Sequence, residues 1–470
     1  MTRVFRAHIF HIAGAPRQDQ VPEHLESIPD GALVVDDEGM VAWTGAWAAL
    51  PDRWADAPVT RADYLVPGFV DTHVHFPQSY ATAAHGGGQL LEWLDHCIFP
   101  TESQYQDPDF ADRAARYFVR RRIAAGSTAA MVFGSAFPVA QDALYRETLA
   151  SGLRTVSGRG VQTVGPAAAR ALITSEERAI ELVADEIDRW HAVDTGDPRT
   201  ARVQVGVVPR FSLSVTQTTL AAMGELYDEA RTRGVYFHSH LNENNRKGDG
   251  EIAAVLGTYG VETYLDTYDG RFLPGSEEGG RTLLGRRSIL AHAVHSQPRE
   301  LARMAETGTS IAHCPTSQLF LGSGTMPWRA TVETGVNVAL GTDVGAGDEW
   351  LISRVAGDCY KVHISEDGDA GTALHPAELL FAATLAGARA LDMEHAFGNF
   401  DLGKDADFLL IDKKRWEPLD GMLSMGIRSD DEAEATLEEL FTLLMGLRQP
   451  AIAGVYVQGQ EVVTPGLDPD

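Results

Sequence analysis

Five residues of the 470-residue chain have the types and spacing of a metal site. His73 and His75 stand two apart, and residues i and i+2 of a strand point to the same side, so both imidazoles can reach one ion. His240, His292 and Asp343 each end a separate β-rich run further along the chain. Three or four imidazoles and a carboxylate suit Zn²⁺ or Fe²⁺, with a position left for water. We therefore predict one metal ion bound by these five residues.

The shared position of these residues carries more weight than any one of them. A lone H-x-H pair or strand-end histidine is more often a buried residue that satisfies hydrogen bonds than a ligand. Here four histidines and one aspartate fall at the same relative end of successive runs. In barrel enzymes that end carries the chemistry.

Glu243 follows His240 by three residues in SHLNEN and is the predicted general base and acid. A carboxylate beside the water, and not itself a ligand, can take a proton from it and pass it to a leaving group. Asp343 is predicted to orient the same water while it contacts the metal. The alternative for Glu243 is a solvated or helix-N-terminal acid.

Lysine usage favours one metal over two. Dinuclear amide hydrolases of this architecture usually bridge their metals with a carboxylated lysine from a mid-barrel strand. Lys247 is the first lysine of this chain and follows VYFHSHL, the fifth of the eight β-rich runs. No earlier run therefore contains a lysine that could bridge two metals, and a single metal is the better interpretation. This shifts weight from hydrolysis of ring amides toward deamination.

Eight β-rich runs separated by amphipathic helical stretches must position these residues. The pattern predicts parallel βα units closed into a TIM (β/α)8 barrel over residues 67–402. An open doubly wound sheet is the alternative, but no Gly-rich phosphate loop follows the first run. The runs are DYLVPGFVDTHVHF, STAAMVFGS, RTVSGRGV, VQVGVVPR, VYFHSHL, SILAHAV, SIAHCP and VNVALGTD.

Both ends of the chain differ from this rhythm. Residues 1–66 contain GALVVDDEGMVAWTG, which reads as a hairpin, and residues 403–470 contain two strand-like segments. Neither end has enough core to fold alone, so we expect one small β-sandwich built from both termini. Two further segments have apolar residues at the spacing of a helix and are predicted to be helical. They are DEAEATLEELFTLLMGL and PAELLFAATLAGARAL.

Composition limits the partners. The net charge of −27 argues against nucleic acid and anionic membranes, and leaves a small neutral substrate compatible. No run of about 18 apolar residues is found, as a membrane span would need. Cys97, Cys314 and Cys359 lie far apart and form no disulfide framework, which is typical of a cytoplasmic protein.

The motifs resemble the amidohydrolase superfamily, in its mononuclear nucleobase-deaminase branch. Five segments match the strand-end motifs of that branch, in the same order along the chain. They are PGFVDTHVH, SHLNEN, LAHAVH, SIAHCPTSQ and LGTD. Within it the chain is similar to the guanine deaminases, from about residue 66 to residue 412. QLLEWLDHCIFPTE, residues 89–102, resembles the loop that walls their purine pocket.

The resemblance also implies a substrate-binding set. Arg210 in VVPRFSLS and Gln78 match the purine-binding arginine and glutamine of that family. A guanidinium can donate to O6 and N7 of guanine, while an amide can both donate and accept. The remaining candidates are Trp93, Leu94 and Phe211 as pocket walls, with core packing as the alternative, and His313 as a hydrogen-bonding partner of substrate or water.

The reaction implied is hydrolysis of guanine to xanthine and ammonia, with Zn²⁺ (or Fe²⁺) as cofactor and a homodimer as the assembly. Two alternatives stay open at this point. One is a related aminohydrolase acting on another aminopurine, an adenosine derivative or a triazine, and the other is a non-catalytic binding protein of the same fold. The chain departs from the family pattern at Gln318 and His295, and we expect a core role for His238.

Overall fold

The structure, a computed structural model, describes residues 1–84, 90–246, 250–270, 281–366 and 373–462, so Lys247 lies outside the described residues. The described strands form one seven-stranded and one eight-stranded sheet. They are β1 Arg3–Ile12, β2 Leu25–Val35, β3 Val41–Ala46, β4 Val59–Pro67, β5 Phe69–His75, β6 Ser127–Gly134, β7 Arg154–Arg159, β8 Val203–Val207, β9 Tyr236–Leu241, β10 Ser288–His292, β11 Ser310–His313, β12 Val338–Leu340, β13 Phe408–Ile411, β14 Ile452–Val457 and β15 Gln460–Glu461.

Strands β5 to β12 pair in parallel and in sequence order, and each of the eight predicted runs supplies one of them. Every residue of β5 and β6 is buried, as expected for strands covered on both faces. The segment after β12 returns to β5, where Asp343 N–H donates to the His73 carbonyl and His75 N–H donates to that of Val344, both at 2.8 Å. The predicted TIM barrel is confirmed.

Helices follow the barrel strands and cover their outer side, and the two predicted helical segments lie in α12–α13 and α15. The described helices are α1 Leu90–Trp93, α2 Phe99–Ser103, α3 Pro108–Ala124, α4 Pro138–Ser151, α5 Glu176–Trp190, α6 Gln217–Ala230, α7 Glu251–Tyr259, α8 Pro298–Thr307, α9 Pro315–Leu321, α10 Trp328–Glu333, α11 Ile352–Ile364, α12 Pro376–Ala383, α13 Leu385–Ala390, α14 Glu417–Met425 and α15 Glu432–Gly446. Among these described helices, none has the length and apolar character to cross a membrane.

The seven-stranded sheet joins both ends of the chain in the order β15-β14-β13-β4-β1-β2-β3. Strands β2 and β3 form the predicted antiparallel hairpin. In this sheet the Phe5 ring of β1 lies 4.8 Å from that of Phe408 on β13 and 5.2 Å from that of Tyr456 on β14, between ring centroids. This is the small sandwich of the predicted fold class. Its division from the barrel at residues 66/67 and 402/403 stays a prediction.

A buried ion-pair cluster joins the sandwich to the barrel. Arg154, the first residue of β7, donates to Asp405 at 2.5 Å and to Asp407 at 2.8 Å, just before β13. The side chains of Arg154 and Asp407 are 3% and 1% exposed. Because a buried charge without its partner is costly, this contact fixes the two parts of the molecule together.

Candidate active site

Most of the predicted site residues line one cavity at the carboxyl ends of the barrel strands. This is the end at which barrel enzymes place their active sites. The lining residues are His75, Gln78, Leu90, Trp93, Leu94, Arg210, Phe211, His240, Glu243, Glu251, His292, Leu321, Asp343 and Ala346.

The ligand atoms at the base of this cavity converge on one point. His75 Nε2 lies 3.2 Å from His73 Nε2 and 3.3 Å from His240 Nε2. Asp343 Oδ1 lies 3.2 Å from Nε2 of both His73 and His75, and Asp343 Oδ2 lies 3.9 Å from Nε2 of His292. Ligand atoms about 2.1 Å from a shared ion at near-tetrahedral angles are about 3.2–3.4 Å apart. The spacing fits a metal ion.

The imidazoles of the cluster are held in the neutral form that can bind a metal ion. Burial lowers the pKa of His75 to about 4 and that of His292 to about 3, and it holds the pKa of His240 well below its usual range. These rings are therefore neutral at pH 7, which is the form that binds metal. Nε2 of His292 is buried and has no hydrogen-bond partner among the described residues, so it is available as a ligand atom.

Two ring orientations are fixed by hydrogen bonds on the far side of the imidazole. Nδ1 of His240 donates to the Arg210 carbonyl at 2.6 Å. Nδ1 of His238 lies 2.8 Å from the Ile289 carbonyl and must donate to it, so Nε2 of His238 is an acceptor. His73 Nδ1, 2.8 Å away, donates to that atom. Each ligand is thereby left with a bare Nε2 that faces the site.

Asp343 is held by the closing segment of the barrel. Asp71 on β5 accepts hydrogen bonds from Thr342 N and Thr342 Oγ1, at 3.0 and 2.6 Å. The backbone φ is +50° at Asp343 and +75° at His292, in the left-handed region that non-glycine residues rarely adopt. Such backbone costs about 1–3 kcal/mol and concentrates at functional sites. Gly341 permits the close approach, because a Cβ there would lie 2.8 Å from His73 Cβ.

Glu243 lies two residues beyond β9, beside the ligand cluster. Its Oε2 is 3.3 Å from His292 Nε2, and its Oε1 is buried without a hydrogen-bond partner among the described residues. Burial, with the charges of Asp343 and Glu251, raises the pKa of Glu243 well above its usual range. The carboxylate of Glu251, at the start of α7, accepts from the backbone N–H of Glu243 at 3.1 Å. A buried carboxyl in this position can exchange protons with a reacting water.

Gln78 and Arg210 both line the cavity and share a partner. Glu102, at the end of α2, accepts from Gln78 Nε2 at 2.9 Å and from Arg210 Nη1 at 2.6 Å. The side chains of Glu102 and Arg210 are each 4% exposed. The cavity therefore offers a fixed guanidinium and a fixed amide on one side.

Apolar side chains complete the cavity. Trp93, Leu94 and Phe211 line it and belong to one buried cluster with Leu90 and Leu321. The indole N–H of Trp93 is buried with no hydrogen-bond partner among the described residues, so it is a donor available to a bound molecule. These residues thus both pack in the core and form the walls of the pocket.

His313 is not among the residues that line the cavity. Its Nε2 lies 3.1 Å from Nε2 of His363, and with Cys359 the two rings form a second buried group beside Trp328. Its contact with substrate or water stays a prediction. His295 Nε2 donates to the Ser323 carbonyl at 2.7 Å.

Local sequence patterns do not mark Glu102, Glu251 or Asp71 as parts of the site. All three are buried carboxylates: Glu102 bonds to Gln78 and Arg210, Glu251 to the N–H of Glu243, and Asp71 to Thr342 and the N–H of His73. The only sequence signal for Glu102 is its place in the segment that resembles the purine-pocket loop. His238, expected in the core, is buried there and also bonds to His73.

The barrel, the converging imidazoles and the buried glutamate define a metal-dependent hydrolase. A family model described as "Amidohydrolase family" matches residues 64–462. The chain belongs to the amidohydrolase family.

Several relatives that match almost the whole chain are guanine deaminases by name. A "Probable guanine deaminase" of Deinococcus radiodurans is 38% identical over 454 residues, which cover 94% of this chain and 95% of the relative. The guanine deaminase of Escherichia coli K12 is 32% identical, with 94% and 93% covered. A solved structure of Escherichia coli guanine deaminase superposes with a TM-score of 0.84 at 30% identity and covers 98% of this chain and 99% of that one.

Proposed function

We propose that this protein hydrolyses guanine to xanthine and ammonia. The observation that carries the proposal is that one cavity is lined both by ligand-cluster residues with Glu243 and by the Arg210–Gln78 pair. The relatives named above, which match over nearly the full length, support the same carbon–nitrogen bond hydrolysis.

We propose one Zn²⁺ per chain, held by His73, His75, His240, His292 and Asp343. The nitrogen-rich set with one carboxylate suits zinc, and Fe²⁺ accepts the same ligands. When bound, such an ion lowers the pKa of water to about 7, which provides a nucleophile at neutral pH.

Glu243 moves the protons of the reaction. As the water oxygen forms its bond to C2 of guanine, Glu243 takes one proton from the water and delivers it to N3. It then takes the second proton of that water and delivers it to the 2-amino nitrogen, so the C2–N2 bond breaks and ammonia leaves. Asp343 accepts a hydrogen bond from the water and orients it toward C2. Water plus guanine thus gives xanthine plus ammonia, with Glu243 returned to its starting state.

Arg210 and Gln78 place C2 toward Glu243. The guanidinium of Arg210 donates to the acceptor edge of the base, O6 and N7, while Gln78 meets the N–H groups. Trp93, Leu94 and Phe211 bury the faces of the ring and exclude bulk water, which strengthens the polar contacts inside.

Ammonia release from the purified, zinc-loaded protein tests this function. The substrates are guanine, adenine, cytosine, adenosine and melamine, with xanthine followed by its ultraviolet absorbance. We expect turnover of guanine alone. Turnover of adenosine or melamine in its place would contradict the roles given to Arg210 and Gln78, and no turnover of any of them would contradict the proposed reaction.

We further propose a homodimer in the cytoplasm. Two apolar side chains near the end of α14 are largely exposed, Met425 at 85% and Ile427 at 101%, and burial against a second copy would remove them from water. The unpaired cysteines fit a reducing compartment. Light scattering on the purified protein tests the assembly, and a monomeric mass contradicts it.

A further inference from the structure

Glu102 is buried behind the purine-binding side chains. The residue is 3% exposed and is not among those that line the cavity. One of its carboxylate oxygens accepts from Gln78 Nε2 and the other from Arg210 Nη1. It therefore contacts both recognition residues without reaching the space that the substrate occupies.

An ionised carboxylate can only accept hydrogen bonds, and this fixes the orientation of the Gln78 amide. The nitrogen of that amide must face Glu102, so its oxygen faces the other way. Gln78 Oε1 lies 3.3 Å from the N–H of Gly345, in the segment that carries Asp343. A carbonyl oxygen has two lone pairs, so one remains for an N–H of the substrate.

The same carboxylate holds Arg210 in place. The contact of 2.6 Å is a charge-assisted hydrogen bond, which is stronger than a neutral one. It uses one of the five N–H donors of the guanidinium and leaves others for the cavity. Glu102 thus presents an acceptor from Gln78 next to donors from Arg210.

We propose that Glu102 is a positioning residue that makes the site select 6-oxopurines over 6-aminopurines. The inference rests on the proposed function and deepens it. In a 6-oxopurine, N1–H donates and O6 accepts, which matches the fixed amide oxygen and the guanidinium. In a 6-aminopurine, bare N1 faces the amide oxygen and the 6-amino group faces the guanidinium, so acceptor meets acceptor and donor meets donor. Sites with such fixed polar groups discriminate strongly because the mismatched groups stay unpaired.

The variant Glu102→Gln removes the constraint and keeps the shape. An amide at 102 can donate as well as accept, so the Gln78 amide is free to turn over. We expect kcat/KM for guanine to fall about 10- to 100-fold, mainly through KM. We also expect the ratio of kcat/KM for guanine to that for 2,6-diaminopurine to fall at least about tenfold. The matched control is Glu177→Gln, an exposed glutamate of α5, which should change neither value.

If the role of Glu102 were purely structural, Glu102→Gln would lower kcat/KM for guanine and for 2,6-diaminopurine by the same factor. An unchanged ratio of the two kcat/KM values would therefore overturn the inference. The variant Glu102→Asp keeps the carboxylate and should keep the preference for guanine at a reduced rate. Loss of preference in Glu102→Asp would count against it.

A wild-type measurement covers the case in which Glu102→Gln does not fold. Hypoxanthine and adenine both lack the 2-amino group and differ at position 6. Their inhibition constants therefore compare how well the donors and acceptors of the site match a 6-oxo and a 6-amino group. We expect hypoxanthine to bind at least about tenfold tighter, and equal binding overturns the inference. Absence of guanine turnover by the wild type would instead contradict the proposed function itself.

Discussion

The backbone carbonyl of Arg210 accepts a hydrogen bond from Nδ1 of His240 at 2.6 Å, while its guanidinium donates to Glu102 beside the cavity that Arg210 lines. One residue thus orients a predicted metal ligand through its backbone, and in the proposed function it holds the substrate through its side chain. Because the two functions use different atoms, a side-chain substitution should separate them.

Arg210→Lys tests that separation. Lysine keeps the charge and the backbone carbonyl but lacks the planar set of donors that a guanidinium offers. We expect kcat/KM for guanine to fall about 100-fold or more, by the loss of two charge-assisted hydrogen bonds. Zinc content, measured by atomic emission, should stay at the wild-type value. A loss of zinc in this variant would show that the side chain supports the metal site.

Glu243→Gln tests the proton transfers. The amide has the same shape but cannot take up and release protons, so we expect kcat to fall about 10²- to 10⁴-fold with zinc retained. Steady-state kinetics and metal analysis of the same preparation check this. The exposed Glu177→Gln serves again as control, and retained turnover in a zinc-loaded Glu243→Gln protein would refute the role of Glu243.

His238 should set the metal affinity through His73. The variant His238→Phe removes the acceptor for His73 Nδ1, which then loses its fixed orientation. Loss of a residue that orients a ligand typically costs about 10- to 100-fold in metal affinity. Competition with a chelator measures this directly. His191→Phe, at a histidine bonded to the Arg233 carbonyl, is the control and should leave zinc affinity unchanged. Equal zinc affinity in both variants would argue against the role of His238.

Arg154→Met should destabilise the fold without touching the chemistry. It leaves Asp405 and Asp407 without their partner, at a cost of about 3–5 kcal/mol in the free energy of unfolding. Denaturant unfolding measures the change. Arg146→Met breaks a pair in which both side chains are about half exposed, and should cost no more than about 1 kcal/mol. Equal costs for the two variants would show that the buried cluster is not what joins sandwich and barrel.

Glu186 on α5 should make stability depend on pH. Burial raises its pKa from 4.5 to about 7, while the hydroxyl of Tyr145 donates to it at 2.7 Å. The folded state therefore binds a proton that the unfolded state releases between pH 4.5 and 7. As a result, this residue's contribution to stability falls as pH rises through that window.

Glu186→Gln removes the titration and keeps the size. Relative to wild type, the variant should gain stability as pH rises from 5 to 8, by up to about 3 kcal/mol. The exposed Glu181→Gln on the same helix should show no such trend. Parallel stability curves for wild type and Glu186→Gln would contradict the prediction.

The sequence predicts the barrel and the ligand set because both follow from local patterns. Eight buried runs identify the strands, and the alternation of side chains along a strand places His73 and His75 on one side. The strand ends then bring His240, His292 and Asp343 together, since parallel strands share one edge.

The buried carboxylates that hold the site residues in place, such as Glu102 and Glu251, cannot be predicted from local sequence patterns. Glu102 bonds to Gln78 and Arg210, which lie 24 and 108 positions away in the sequence. It lies in the short helix α2, whose sequence shows no hydrophobic periodicity that would predict these contacts. Glu251 reaches Glu243 from the start of a helix, where an acidic residue is common for reasons unrelated to catalysis. Contacts of this kind are set by tertiary packing and not by local spacing.

Isotope labelling tests the central claim most directly. Guanine is incubated with the zinc-loaded protein in water enriched in oxygen-18, and the product is analysed by mass spectrometry. The account predicts xanthine with one oxygen-18 atom at C2 and one ammonia released for each xanthine formed. Guanine recovered unchanged, or a product without the label at C2, would contradict it.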